Sequence, residues 1–127
     1  FGATTGRPRR CGWIDLVALH YACFINGVTQ LVMTKADVLD SFSELKVCSA
    51  YQINGEVTRR VPFQMGRMAI EPVLELFKGW KVPIHAIKDS GQLPEAMNAY
   101  MAYIQNYLGV KISYISNGPG RDQLIAL

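Results

Sequence analysis

Apolar residues between positions 15 and 25 recur every three to four residues, at Leu16, Val17, Leu19, Ala22, Cys23 and Ile25, and Gly27 follows where a helix would stop. This spacing predicts a helix of about three turns, with Asp15 near its start, where a negative charge suits the helix dipole. Gln30, Leu31, Val32, Met33 and Thr34 then read as a short buried strand running into the polar cluster Thr34-Lys35-Ala36-Asp37. Two further strands, 45–53 and 57–62, flank Asn54-Gly55, the dipeptide that suits both positive-φ positions of a type I′ hairpin turn. From 63 to 91 the pattern is mixed, broken by Pro72, Pro83 and Gly79-Trp80, with one further strand expected at 73–77. Pro94 suits a first helical position and opens a long periodic run through Met97, Tyr100, Met101, Ile104 and Leu108, closed by Gly109. A last strand at 111–115 runs into the turn sequence Ser116-Asn117-Gly118-Pro119, and 122–127 closes the chain.

Strand, polar loop, hairpin, helix and strand again indicate an α/β unit. Residues 31–33 and 112–115 are expected in a central sheet packed by the two helices, with any ligand at the carboxyl ends of those strands. With 127 residues, half of them hydrophobic and 18% charged, the chain suits one packed domain and excludes disorder as its main state. No apolar run approaches the roughly 18 residues of a membrane span, and the richest, 16–25, is interrupted by His20. A net charge of +3 fits small anions and falls short of a nucleic-acid groove. Cys11, Cys23 and Cys48 are odd in number and form no CxxC pair, so neither a disulfide framework nor a zinc site is suggested and a cytoplasmic setting is the default. The chain begins at Phe1 without an initiator methionine or a signal-peptide pattern, and it is expected to be a piece of something longer.

Three segments carry polar groups where a sheet edge would expose them: 2–10, 34–37 and 116–119. Lys35 and Asp37, two apart beyond a strand, suit a base edge: a carboxylate can accept two hydrogen bonds from guanine while the lysine stem covers the base face. The commoner use of such a tripeptide is a cap, with Asp37 closing the short turn toward Asp40. The loop Gly2-Ala3-Thr4-Thr5-Gly6 offers successive N–H groups to a carboxylate or phosphate, and Arg7, Arg9 and Arg10 can clamp anions. Three arginines beside a Gly/Thr loop are hard to explain by packing, although a solvated basic loop is the plain alternative. No GxxxxGK[ST] phosphate loop occurs in the chain. Ser116-Asn117-Gly118-Pro119 is by itself an ordinary turn. His20 reads as a helix residue and not a catalytic base, His85 has no obvious partner, and the Met97–Ile104 stripe is core or interface.

Taken together, G-A-T-T-G-R-P-R-R-C-G-W-I-D, L-V-M-T-K-A-D-V-L-D, K-V-C-S-A-Y and S-N-G-P-G-R-D-Q resemble, in order, the C-terminal third of the adenylosuccinate synthetase family. The likeness spans almost the whole chain and is thinnest at 63–91, where only P-V-L-E-L-F-K-G-W matches. It implies part of a P-loop NTPase-like central sheet with flanking helices and a β-hairpin. It also implies a GTP-dependent ligase that joins L-aspartate to IMP, giving adenylosuccinate, GDP and phosphate on the route to AMP. GTP phosphorylates the inosine 6-oxygen, and the aspartate amine then displaces that phosphate. Phosphorylation makes the oxygen a good leaving group, and arginine and magnesium charge suits the transferred phosphoryl group.

By the same resemblance Ala3, Thr4, Thr5, Gly6, Arg7, Pro8 and Arg9 would receive aspartate. Arg7 would also reach IMP, and Arg9 the GTP. Lys35, Ala36 and Asp37 would read guanine, and Ser116, Asn117 and Gly118 would close over the same base. Pro8 departs from the family, which often has a basic residue there; it removes one N–H but leaves both neighbouring arginines. The family's catalytic aspartate and histidine, its glycine-rich phosphate loop and its Mg2+ ligands fall before Phe1. No catalytic or metal residue is therefore expected in this chain, which would be inactive alone. The rest of the polypeptide and a homodimer partner are implied; membrane and nucleic acid are not. Two other readings stay open: a stand-alone guanine-nucleotide or anion-binding module, and a dimer-forming scaffold whose loops are only turns.

Overall fold

The computed structural model describes Gly2 and residues 5–127. Its elements, in order, are β1 (Ile14–Asp15), α1 (Leu16–Ile25), β2 (Gln30–Met33), β3 (Glu44–Ile53), β4 (Glu56–Thr58), β5 (Glu71–Lys78), α2 (Glu95–Leu108), β6 (Lys111–Ser116) and β7 (Leu124–Ala126). The α/β class holds, with the strands divided between two sheets. In the first, β3 is central: β5 runs antiparallel along one edge, while β1, parallel, and β4, antiparallel, take successive stretches of the other. In the second, β2 and β6 are parallel and β7 is antiparallel to β6.

Local chemistry accounts for most elements. Asp15 is the N-cap of α1, its carboxylate accepting from the Ala18 N–H at 3.0 Å and, through the other oxygen, from the Tyr51 hydroxyl. Asn54 and Gly55 take φ of +52° and +86°, the left-handed pair that a tight hairpin requires. In α2 the predicted stripe is the buried face: Met97, Tyr100, Met101, Ile104 and Leu108. Gly109 ends the helix at φ +66°, its N–H donating to the Gln105 carbonyl at 2.8 Å. Pro94 precedes the helix as its N-cap, in extended geometry, and so is not its first helical residue.

Three strands differ from expectation. β2 is not fully buried: Gln30 and Val32 are exposed and Leu31 and Met33 half-buried, because β2 is an edge strand paired only with β6. β4 stops at Thr58 instead of continuing to Pro62, and β5 extends beyond 73–77 at both ends. Pro72 fits inside β5 because the strand pairs with β3 alone and its other edge needs no N–H. β1, only two residues long, is too short to leave a pattern.

One core joins the two sheets. Leu16, Leu45, Val47, Ile84, Met97, Tyr100, Ile104, Ile112, Ile115 and Ile125 pack together, all less than about a twentieth exposed. Each buried side chain of this size contributes about 1.5–3 kcal/mol, so α2, which supplies Met97, Tyr100 and Ile104, is the main clamp between β5 and β6.

Candidate functional site

The parallel pair β2–β6 ends in register, Met33 opposite Ile115, so residues 34–37 and 116–119 leave the second sheet side by side from one edge. This is the carboxyl edge at which α/β sheets present ligands. Beyond β2, Lys35 is left-handed at φ +57° with its side chain exposed, and a 3₁₀ turn runs from Ala36 to Leu39. Ala36, 1% exposed, anchors that turn in the core. Asp37 does not cap it. The N-cap position is Lys35, without a side-chain bond, and the turn closes through the main chain, the Asp40 N–H donating to the Asp37 carbonyl at 3.2 Å. Among the described residues the half-buried Asp37 carboxylate makes no hydrogen bond or ion pair, which leaves its oxygens available as acceptors.

Beyond β6 the chain turns sharply. Ser116 Oγ donates to the Gly118 carbonyl at 3.1 Å, and the Asn117 N–H donates to the Gln123 carbonyl at 3.1 Å. A side chain at Gly118 would meet Gln123 Oε1 at 2.3 Å, so the turn needs glycine for close approach. Gln123 Oε1 in turn accepts from the Gly120 N–H at 2.8 Å. Asn117 itself points inward. It is fully buried, and its Nδ2 donates to the Ile84 carbonyl at 2.6 Å and to the Ile87 carbonyl at 2.9 Å. Only its main chain faces the loop.

The segment 80–87, irregular in sequence, therefore lies against both loops. Asp40 grips it from the other side, Oδ1 accepting from Trp80 Nε1 at 2.7 Å and Oδ2 from the Ile84 N–H at 3.0 Å. Asp40 and Gln123 end two of the family blocks without any local sign of this bracing role, and Ile84 lies in none of them. The one signal was Trp80, a large N–H donor inside an irregular stretch, which needs a partner once buried.

The N-terminal loop is built differently. Gly2 donates to the Arg7 carbonyl and accepts from the Gly6 N–H, both at 2.9 Å, with Gly6 at φ +62°. Thr5, Gly6, Arg7, Pro8, Arg9 and Arg10 are all exposed, and Arg7, Pro8 and Arg9 line a shallow groove. Ala3 and Thr4, also expected in this loop, lie outside the described residues. The loop leads into β1 and so belongs to the first sheet, apart from the strand pair that carries 34–37 and 116–119.

Beside β1 a cavity of about 480 Å³ is lined by Trp13, Asp15, Cys48, Tyr51, Met65 and neighbouring apolar residues. Burial and then the Asp15 carboxylate push the Cys48 thiol up. The Tyr51 hydroxyl is pushed well above its usual range by burial, with the hydrogen bond to Asp15 next. Both groups therefore stay protonated at neutral pH, and Asp15 is committed to the helix cap. His20 is exposed with its ring edge toward Tyr107, and His85 is exposed with its carbonyl near Gln123 Nε2. Among the described residues no group of three or more His, Cys, Asp or Glu side chains is placed to hold a metal ion, and no helix is long and apolar enough to cross a membrane.

Fold and site together define an α/β unit with two polar loops at the carboxyl end of a parallel strand pair. The sequence profile of the adenylosuccinate synthetase family matches residues 1–125, and the chain belongs to that family. It is 50% identical over 126 residues to an adenylosuccinate synthetase of Salinibacter ruber, covering 98% of this chain and 29% of that protein. With the corresponding enzyme of Aquifex aeolicus it shares 47% identity over 128 residues, 100% of this chain and 30% of the relative. The fold superposes on a fully ligated adenylosuccinate synthetase from Plasmodium falciparum with a TM-score of 0.91 and 35% identity, over 100% of this chain and 31% of that one. The chain thus spans about 30% of the length of the curated relatives it matches.

Proposed function

We propose that this chain supplies the aspartate loop and the guanine pocket of an adenylosuccinate synthetase, the GTP-dependent ligase that joins L-aspartate to IMP in AMP biosynthesis. The observation that carries the reading is the placement of 34–37 and 116–118 side by side at the carboxyl end of β2 and β6, with the Asp37 carboxylate uncommitted. Asp37 accepts from the guanine N1–H and 2-amino group, the Lys35 stem and Ala36 main chain border the base, and Ser116, Asn117 and Gly118 close over it through their main chain. Arg9 reaches the GTP.

Ala3, Thr4, Thr5, Gly6 and Pro8 shape the loop that receives aspartate, and Arg7 bridges aspartate and IMP. Exposed guanidinium groups beside a self-closed glycine loop suit bidentate recognition of carboxylate and phosphate. These residues bind and orient; the groups that move protons and the phosphoryl group lie in the rest of the polypeptide, as do the ligands of the Mg2+ that accompanies GTP. The working enzyme is a cytoplasmic homodimer, and this portion alone does not turn over.

Calorimetric titration of the full-length polypeptide with GDP, against ADP as control, tests the pocket. Asp37→Asn exchanges an acceptor for an amide that can donate to the 2-oxo group of xanthine. GDP affinity falls about tenfold or more, and xanthosine diphosphate binds in its place. Unchanged GDP affinity in Asp37→Asn would overturn the assignment.

A further inference from the structure

We infer that Asp40 and Asn117 are positioning residues for guanine recognition, holding segments 34–37 and 116–118 at a set separation by gripping the same residue, Ile84, one at its N–H and the other at its carbonyl. The inference rests on the guanine reading above and adds what makes that pocket a fixed shape.

Two strands keep their spacing only where the hydrogen-bond ladder runs. The β2–β6 ladder ends at Met33 and Ile115, before either segment begins. Among the described residues no hydrogen bond joins 34–37 directly to 116–118. The turn at 36–39 packs against β6, but the hydrogen-bonded tie is indirect. Ile84 is 0% exposed; its N–H donates to Asp40 Oδ2 at 3.0 Å and its carbonyl accepts from Asn117 Nδ2 at 2.6 Å. Each gripping side chain has a second hold on the same segment, Asp40 on Trp80 Nε1 at 2.7 Å and Asn117 on the Ile87 carbonyl at 2.9 Å. Segment 80–87 is therefore a strut between the two loops.

The connection to the base-facing atoms is short at both ends. Asp40 terminates the turn that holds Asp37, bonded to its carbonyl through the main chain. Asn117 lies between Ser116 and Gly118. Its chemistry also argues for a positioning role: both amide hydrogens go to the strut, while Oδ1 is buried without a partner among the described residues. A buried orphan acceptor is unfavourable, so the side chain is held here by what its donors do. Planar recognition of a base edge tolerates little displacement, about half an ångström at the first contact, and a strut gripped by four hydrogen bonds supplies that precision.

The test uses the full-length enzyme. Asp40→Asn keeps the shape of the side chain but turns an N–H donor toward Trp80 or Ile84. It is expected to raise the KM for GTP about tenfold while the KM values for IMP and aspartate stay within twofold, and to narrow the preference for GTP over inosine triphosphate, which lacks the 2-amino group. Asn117→Asp, which sets a carboxylate against two carbonyls, is expected to weaken GDP binding at least as much. The double variant is expected to cost less than the product of the two, since both act through Ile84.

Should either variant fail to fold, Trp80→Phe removes a single donor and keeps an aromatic ring in the site; a threefold rise in the GTP KM with the IMP and aspartate KM values within twofold sustains the inference, and no rise overturns it. It is equally overturned if folded Asp40→Asn raises all three KM values together or leaves that for GTP within twofold. Asp37→Asn separates the two levels. A switch to xanthosine nucleotides there with no GTP effect at Asp40 refutes the strut alone, whereas no switch refutes the guanine pocket itself.

Discussion

The two polar regions of this chain are held in opposite ways. The segments at 34–37 and 116–119 are braced by side-chain hydrogen bonds, with Asp40, Asn117 and Gln123 tying them and their flanks to 80–87. Among the described residues the arginine loop is closed by its own main chain, with the Arg9 guanidinium beside Gly2, and Arg7, Arg9 and Arg10 are exposed. Among the described residues the one ion pair is Lys46–Glu44, far from the loop in sequence. The proposed assignment accounts for the contrast: a pocket that reads a flat base profits from a preset shape, whereas arginines that grip mobile anions are fixed by the anions themselves.

The sharpest way to break the braced side is Gly79→Ala. A Cβ there would stand 1.9 Å from the Phe42 carbonyl oxygen, a main-chain atom that cannot step aside, just where the chain enters the strut. Denaturant unfolding is expected to show a loss on the order of 3–5 kcal/mol. Ile84→Ala leaves the strut's hydrogen bonds possible but empties a fully buried site. It is expected to cost about 2–4 kcal/mol and to weaken GDP binding alongside; full stability would show that the strut packs less tightly than its burial implies.

Alkaline pH acts on the packed body that both regions share. Burial pushes Tyr100 up to about 12, and Tyr51 and Tyr107 are also raised, chiefly by burial. An unfolded tyrosine loses its proton near pH 10, while these stay protonated in the fold, so the folded state holds more protons and stability falls as pH rises above 10. Circular dichroism followed with phenolate absorbance is expected to show unfolding and ionisation together above pH 10; ionisation of all six tyrosines near pH 10 without unfolding would contradict it. The smallest effect on stability is expected from Arg7→Ala and Arg9→Ala, within about 0.5 kcal/mol by thermal unfolding. On the proposed assignment, the ligase activity of the full-length polypeptide is by contrast expected to fall at least tenfold. A large loss of stability would mean that the loop is braced after all.

Some of this was legible in sequence because the governing forces are local. The α2 stripe repeats at helical spacing, and Asn54-Gly55 meets the backbone demand of a tight turn on its own. The polar clusters after Met33 and Ile115 could be read as strand ends that present groups to a ligand. Other features had no local signal. β1 is too short to show a period, and β2 reads as buried in composition while its burial depends on having only one neighbour. The tripeptide at 35–37 commonly serves as a cap, yet the N-cap position falls on the left-handed Lys35 and not on Asp37.

The amino-acid sequence by itself determined most of the longer elements, the family likeness and which residue types could meet an anion or a base. Tertiary structure alone decided how the polar residues divide their work. Asp37 and Asn117 both sit in polar turns after apolar strands, yet one carboxylate is left open and the other side chain is fully buried. The difference comes from a partner 33 positions away, where Asn117 meets Ile84, while among the described residues the Asp37 carboxylate meets none. Periodicity and turn preference reach only a few residues along the chain. Burial of a polar group is set by whatever the fold packs against it.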